Sequence, residues 1–141
     1  MTTDFQTSIR KLHLKATPKR LAILEILASE PVYASPEKVW QKMKGRFGKI
    51  GLSTVYRNLE DLAEGGLIIK ILHPDRKLYY YFCHNAETSH HHHFVCISCR
   101  RVLDISFCGL EEIRKEVEGG LKGTVVAHLL QVFGFCEKCD K

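Results

Sequence analysis

No apolar run in this chain approaches membrane length, and its opening, Met1-Thr2-Thr3-Asp4-Phe5, lacks the basic segment and apolar core of a secretion signal. Both absences predict a cytoplasmic protein with no membrane partner. The six cysteines are not spread as in a disulfide framework. Four of them form two Cys-x-x-Cys pairs beside histidines, which favours metal in a reducing compartment, and Cys83 and Cys108 stand outside the pairs. No general base aimed at a substrate pocket stands out, so a zinc enzyme with an open coordination position for water is the weaker reading. No catalytic residue and no small-molecule substrate are expected. A chain of 141 residues, 45% hydrophobic and 26% charged, has a soluble globular composition with room for one ordinary domain or two small ones.

The charge that is present is uneven. Residues 1–82 carry 14 Lys/Arg against 8 Asp/Glu, a net of +6, whereas residues 83–141 carry 7 against 8, a net of −1. Six of the eight histidines and all six cysteines lie in the second part. A basic half suited to a polyanion is therefore followed by a metal-binding half. The expected division is 1–83, a hinge at 84–87, and 88–141.

The densest chemistry is His90-His91-His92-His93-Phe94-Val95-Cys96-Ile97-Ser98-Cys99. Cys96 and Cys99 have a matching pair in Cys136 and Cys139, and two such pairs supply four thiolates to a structural, tetrahedral Zn(II). If residues 90–95 are extended, successive side chains alternate in direction. His90 and His92 then share one face, His91 and His93 the other, and one strand can serve two further sites.

Along the basic half, residues 4–13 suit a short helix. Thr17-Pro18 and Ser35-Pro36 each read as a helix N-cap followed by proline at the first helical position. The first of these helices turns Leu21, Leu24, Ile26, Leu27 and Ala28 toward a core, with Lys15, Lys19 and Arg20 gathered at its start. The second runs to about Lys44 and buries Val39, Trp40 and Met43, with Gly45, Gly48 and Gly51 breaking the segment beyond it. Ser53 is the expected cap of a third helix over 54–64, in which Val55, Leu59, Leu62 and Ala63 form one stripe. Its opposite face offers Thr54, Tyr56 and Arg57. Two β-prone runs, 67–72 and 78–82, flank a turn carrying Arg76 and Lys77. Three helices and a hairpin make a winged helix-turn-helix, whose third helix enters the DNA major groove while the wing rests on the backbone. A protein-binding winged helix is the alternative on fold alone. The second half reads as strand (90–95), turn, strand (101–105), helix (110–117) and strand (124–133), so the fold class is α+β: a winged helix followed by a small α/β domain.

Taken together, Thr17-Pro18-Lys19-Arg20, Leu52-Ser53-Thr54-Val55-Tyr56-Arg57-Asn58-Leu59, Glu64-Gly65-Gly66-Leu67, His90 to Cys99, and His128 ahead of Gly134-Phe135-Cys136-x-x-Cys139 resemble the ferric-uptake-regulator family of metal-dependent repressors. The resemblance implies a homodimer held by the C-terminal domains, structural zinc on Cys96, Cys99, Cys136 and Cys139, and a metal-loaded form that binds an inverted repeat in double-stranded promoter DNA. The implied DNA-binding set is Lys15, Lys19, Arg20, Ser53, Thr54, Tyr56, Arg57, Arg76 and Lys77. It also implies a regulatory metal on His91, His93 and Asp104, and a second site on His90, His92, Glu111 and His128. Tyr33 stands where the iron and peroxide branches have a histidine, and no acid lies between Asp75 and Glu87. Cys83 resembles instead the wing cysteine of the zinc-uptake branch, and Cys83, His91, His93 and Asp104 would suit Zn(II) better than Fe(II) or Mn(II). Cys83 is otherwise a small packed residue. An iron-responsive or peroxide-sensing regulator is the alternative within the family.

Overall fold

The computed structural model describes residues 4–83 and 91–140. The chain forms two compact units, Met1–Thr88 and Ser89–Lys141. The expected hinge at 84–87 and His90 lie outside the described residues.

Unit 1 opens with helices α1 (Phe5–Lys11), α2 (Pro18–Ser29), α3 (Pro36–Phe47) and α4 (Leu52–Glu64), followed by strands β1 (Ile69–Leu72) and β2 (Leu78–Tyr81). Thr17 Oγ1 accepts the Arg20 N–H at 3.2 Å and Ser35 Oγ accepts the Lys38 N–H at 3.2 Å. Each cap satisfies one N–H that the first turn leaves without a helical partner. Two glycine-marked boundaries differ from expectation. Gly45 lies inside α3, where the apolar stripe through Val39 and Met43 carries the helix past it. α4 starts with Gly51, not Ser53, as its N-cap: Gly51 is extended and its carbonyl accepts from Thr54 and Val55 at 3.1 and 3.4 Å. Ser53 is an exposed residue of the first turn.

The core of unit 1 joins Ile9 of α1, Ile23, Leu24 and Leu27 of α2, Val39 and Met43 of α3, and Val55, Leu59 and Leu62 of α4. Ala22 is also buried, although the periodicity does not single it out, while Leu21 and Trp40 are half-buried. Gly65-Gly66 ends α4 for two reasons. A Cβ on Gly65 would stand 2.2 Å from Leu12 Cδ1, so the Leu12 side chain would have to shift, and Gly66 has φ +83°, a conformation costly for any side chain. Leu59→Ala, in the middle of this core, is expected to lower the stability of unit 1 by about 2–5 kcal/mol. A denaturant midpoint that does not move would show that the α4 stripe is not packed as described.

β1 and β2 pair antiparallel from Ile69↔Tyr81 to Leu72↔Leu78. The connector between α2 and α3 joins them: Ala34 and Tyr80 exchange both backbone hydrogen bonds, at 2.9 and 2.8 Å. Tyr80, fully buried, donates its hydroxyl to Glu60 Oε1 at 2.6 Å, and Lys70 Nζ stands 2.8 Å from the same oxygen. Glu60 therefore fastens α4 to the hairpin.

Unit 2 is a three-stranded sheet, order β4-β3-β5, with β3 (His92–Cys96) between β4 (Val102–Ile105) and β5 (Gln131–Gly134). β3 pairs antiparallel with β4 and parallel with β5. A parallel neighbour requires a crossover, supplied here by α5 (Leu110–Lys115) and one π-helical turn, Glu116–Gly120. The last strand is shorter than expected. Only residues 131–134 pair with β3, whereas 124–130 fall outside the ladder, with Val126 93% and Leu129 95% exposed. The apolar, valine- and leucine-rich composition of this stretch suggests a strand, but β3 offers it four residues of edge.

Candidate metal centres and nucleic-acid face

The β3–β5 register brings Cys96 beside Gly134, which puts Cys136 two residues past the ladder next to the first thiol pair. Both Cys-x-x-Cys segments turn tightly, with Arg100 N–H donating to Cys96 O at 3.2 Å and Cys139 N–H to Cys136 O at 2.9 Å. Arg100, just after the first pair, takes φ 68°. All four sulfurs lie within 4.8 Å of one another, and Cys99 Sγ is 3.7 Å from Cys136 Sγ. Two thiolates about 2.3 Å from a tetrahedral ion stand about 3.8 Å apart, so the cage fits such an ion. The electrostatics agree. Burial alone would raise the Cys96 thiol, but N–H groups of Cys99, Cys136 and Ser98 outweigh it and pull it down to about 6. Cys99 moves up to about 11: the Arg101 N–H lowers it, but burial and its thiol neighbours prevail. Four thiolates this close repel one another, and full ionisation calls for a cation among them.

On one face of β3, His93 is paired in register with Asp104 on β4, and His91 joins them from the residue before the strand. The two imidazole centroids are 4.7 Å apart, and each Nε2 stands 3.6 Å from Asp104 Oδ1, beyond hydrogen-bonding distance. His93 Nε2 is buried and has no hydrogen-bond partner. An orphaned buried nitrogen is costly unless an ion takes its lone pair. Burial holds His93 below its ordinary value, with repulsion from His91 adding to the effect and Asp104 opposing it. The neutral ring is the form that ligates. In unit 1, Cys83 is 5% exposed, just beyond β2. Tyr33 is buried in an aromatic group, 4.8 Å from the Tyr79 ring and 5.7 Å from His73.

The opposite face of β3 carries His92, 6% exposed, and His128 meets it with Nε2 to Nε2 at 3.1 Å. Glu111 is elsewhere: it is exposed on α5, where it accepts from Arg114 at 3.3 Å. The third group is Cys108, whose Sγ is 3.2 Å from His92 Nε2 and 3.4 Å from His128 Nε2. Sequence reasoning alone gives Cys108 no role. The available signal is its company, since the other cysteines of unit 2 all sit in ligand pairs and every histidine of the run is a ligand type.

On unit 1, Arg57 is exposed on α4, and Arg76 and Lys77 are exposed at the hairpin tip, where Arg76 takes φ 70°. A groove of about 400 Å³ lined by Ser35, Glu37, Tyr56, Arg76, Lys77 and Leu78 joins the two elements. Tyr56 donates to Glu37 Oε1 at 3.0 Å, and burial followed by that acid raises its phenol, which keeps it a donor. Lys15 is exposed, and Lys19 lines a second groove, about 540 Å³, with Asn58 of α4. Ser53 is exposed and Thr54 half-buried in the first turn of α4. Arg20 is committed within the fold: it pairs with Asp61 at 3.2 Å and donates to Lys15 O at 2.9 Å, tying α2 to α4.

Residues 11–133 match the model of the ferric uptake regulator family. The peroxide operon regulator of Bacillus subtilis (strain 168) is 28% identical over 134 residues, covering 95% of this chain and 90% of that protein. Among solved structures, the Vibrio cholerae ferric uptake regulator is 29% identical over 94% of this chain and all of its own, with a TM-score of 0.63. A zinc uptake regulator complexed with zinc and DNA shares the fold at a TM-score of 0.78 and 20% identity, over 98% of this chain and 95% of its own. No helix among the described residues is long and apolar enough to cross a membrane. A basic winged helix, clustered cysteines and histidines, and a family match over nearly the whole length agree: this chain belongs to the ferric uptake regulator family, whose members are metal-responsive, DNA-binding transcriptional regulators and not enzymes.

Proposed function

We propose that this regulator is a zinc-responsive repressor of the family's zinc-uptake type, binding an inverted repeat in promoter DNA as a homodimer. The observation that carries the reading is the donor set His91, His93 and Asp104. Its 3.6 Å N-to-O edges lie closer to the roughly 3.4 Å of a tetrahedral ion than to the roughly 3.0 Å of an octahedral one. Cys83, at the end of the wing, supplies the fourth ligand and makes the set S, N, N, O. Zinc at the four cysteines is structural. Bound Zn(II) at the regulatory set contributes a Lewis-acid cross-link and no redox chemistry. Cys83 belongs to unit 1 and the other three ligands to unit 2, so their joint ligation restricts how the DNA-binding units of a dimer are spaced. Restriction favours the spacing that matches successive major grooves, and a coupling of about 1–3 kcal/mol, or roughly 5- to 150-fold in affinity, is usual for such linkage. Exposed apolar side chains of unit 2, Phe107, Ile113, Val126 and Leu129 among them, support a dimer formed through that unit.

The test is anaerobic titration of the dimer with Zn(II), Fe(II) and Mn(II), reading DNA binding for the native chain and Cys83→Ser. Zinc is expected to switch binding on at the lowest free concentration, and Cys83→Ser to lose roughly 5- to 150-fold of the gain. Activation by Fe(II) or Mn(II) with Cys83→Ser silent would reverse the assignment. The peroxide-sensing reading is favoured by the similarity to the Bacillus subtilis regulator. It requires oxygen added to the His91 or His93 peptide when the iron-loaded protein meets hydrogen peroxide, which mass spectrometry detects. The buried Tyr33, in place of a histidine, argues against it.

A further inference from the structure

We infer that His92, His128 and Cys108 form a second metal site of N₂S composition, with the Cys108 thiolate in the place expected for the Glu111 carboxylate, selective for thiophilic divalent ions of the Zn(II) and Co(II) class. The three ligand atoms make a triangle with edges of 3.1, 3.2 and 3.4 Å. Around a tetrahedral ion, two imidazole nitrogens stand about 3.3 Å apart and an imidazole nitrogen and a thiolate about 3.5 Å apart. The triangle is thus within a few tenths of an ångström of three corners of such a coordination sphere. Hydrogen bonding accounts for it poorly. An imidazole Nε2 either donates or accepts but never does both, so three mutual contacts among Nε2, Nε2 and Sγ cannot all be well-formed donor–acceptor pairs.

The elements that set the triangle are separate in sequence and fixed in space. His92 begins β3 in register with Ile105, three residues before Cys108, and His128 lies three residues before β5 on the other edge of the same strand. The sheet order β4-β3-β5 therefore brings the two flanking segments onto one His92 face. The chemistry of the donors then decides which ion is held. Carboxylate and imidazole together suit Mn(II) and Fe(II) as well as zinc, whereas a thiolate shifts preference toward softer ions. Three protein ligands leave one coordination position to water or to a further side chain. This inference stands on unit 2 alone and does not depend on which metal occupies the His91–His93–Asp104 set.

The probe is Co(II), added anaerobically to the full-length Cys83→Ser protein with its structural zinc in place. In this background Cys108 is the one thiolate outside the four-cysteine cage. A near-ultraviolet thiolate-to-cobalt charge-transfer band is expected, with the strong visible bands of a tetrahedral ion. A further Cys108→Ser change should abolish the charge-transfer band and weaken cobalt binding at this site by at least the roughly 10- to 100-fold seen when a mere supporting residue is lost. Glu111→Gln should leave both unchanged. In the unsubstituted protein, bound metal should protect Cys108 from alkylation, a readout that needs no variant to fold. Absence of the band, its persistence without Cys108, unhindered alkylation of Cys108 in the metal-loaded protein, or loss of the site in Glu111→Gln would each overturn the inference. A zinc-switched DNA response that survives such an outcome would leave the proposed function standing.

Discussion

Cys136→Ser is expected to leave unit 2 without a fixed structure while unit 1 still melts as a cooperative unit. The reason is how little unit 2 buries for itself. Among its described residues only His92, Val95, Cys96 and Cys136 are buried, α5 buries none, and Phe107, Leu121, Val126 and Leu129 are each at least 70% exposed. A domain of this size seldom holds together on its apolar core, and bound metal is a usual remedy. Structural zinc contributes about 10–16 kcal/mol of apparent binding free energy, and where no site exists in the unfolded chain that becomes folding free energy. Two of the four thiolates come from the β3 turn and two from beyond β5, so losing Cys136 also uncouples the sheet edge that Ile97 N–H to Gly134 O, at 2.9 Å, continues. Zinc content per protomer, far-UV circular dichroism and thermal melts of native and variant proteins give the readout. Retention of two transitions by Cys136→Ser, with one zinc fewer, would show that the sheet stands without its metal. The pH dependence has one sign: ligation needs thiolates, so zinc binding releases protons and unit 2 should weaken as pH falls.

How much the residues disclose by themselves depends on the range of the forces involved. The caps at Thr17 and Ser35 are legible because a hydroxyl followed by proline acts within a single turn. The α4 stripe is legible because Val55, Leu59 and Leu62 must all face one core. The four-cysteine cage is legible because spacing within each pair fixes the local turn, and only a sheet is needed to bring the pairs together. Sequence patterns mislead where a distant partner decides. Gly45 is tolerated inside α3 because the helix is anchored on both sides of it, at Val39 and Met43 and at half-buried Phe47. Arg20 reads as a free cation beside Lys19, yet Asp61 lies 41 residues away in sequence and 3.2 Å away in space. Cys108 has no sequence neighbour to reveal it, since its companions come from 16 residues before and 20 residues after. Residues 124–130 have the apolar composition of a strand but no place in the β3–β5 ladder, and the exposure of Val126 and Leu129 fits a surface that a second copy covers.

Raising salt from about 50 to about 200 mM is expected to weaken binding of the metal-loaded dimer to operator-length DNA by roughly 10³- to 10⁵-fold, for the 6–10 phosphate contacts of a typical dimer. Residues 1–82 hold a net charge of +6, and Lys15, Arg76 and Lys77 are exposed on that unit. Their expected contribution is to phosphate, because each is an exposed cation, Lys15 ahead of α2 and Arg76 and Lys77 at the hairpin tip. Lys77→Ala should then lower affinity about equally for all sequences and reduce the logarithmic salt slope by about 0.9 per lost contact, close to two units for a dimer. Arg57 differs. It is exposed on α4, which Glu60 holds against the hairpin through Tyr80 and Lys70, so its guanidinium is expected to meet DNA from a fixed base. Arg57→Ala should cost about 1–3 kcal/mol per base pair read and narrow the gap between operator and unrelated DNA. Arg20→Ala separates the two roles. Its guanidinium pairs with Asp61 inside the unit, so the variant should melt earlier with the salt slope unchanged. A reduced salt slope for Arg20→Ala, with none for Lys77→Ala, would move the phosphate-binding face from the hairpin tip to the start of α2.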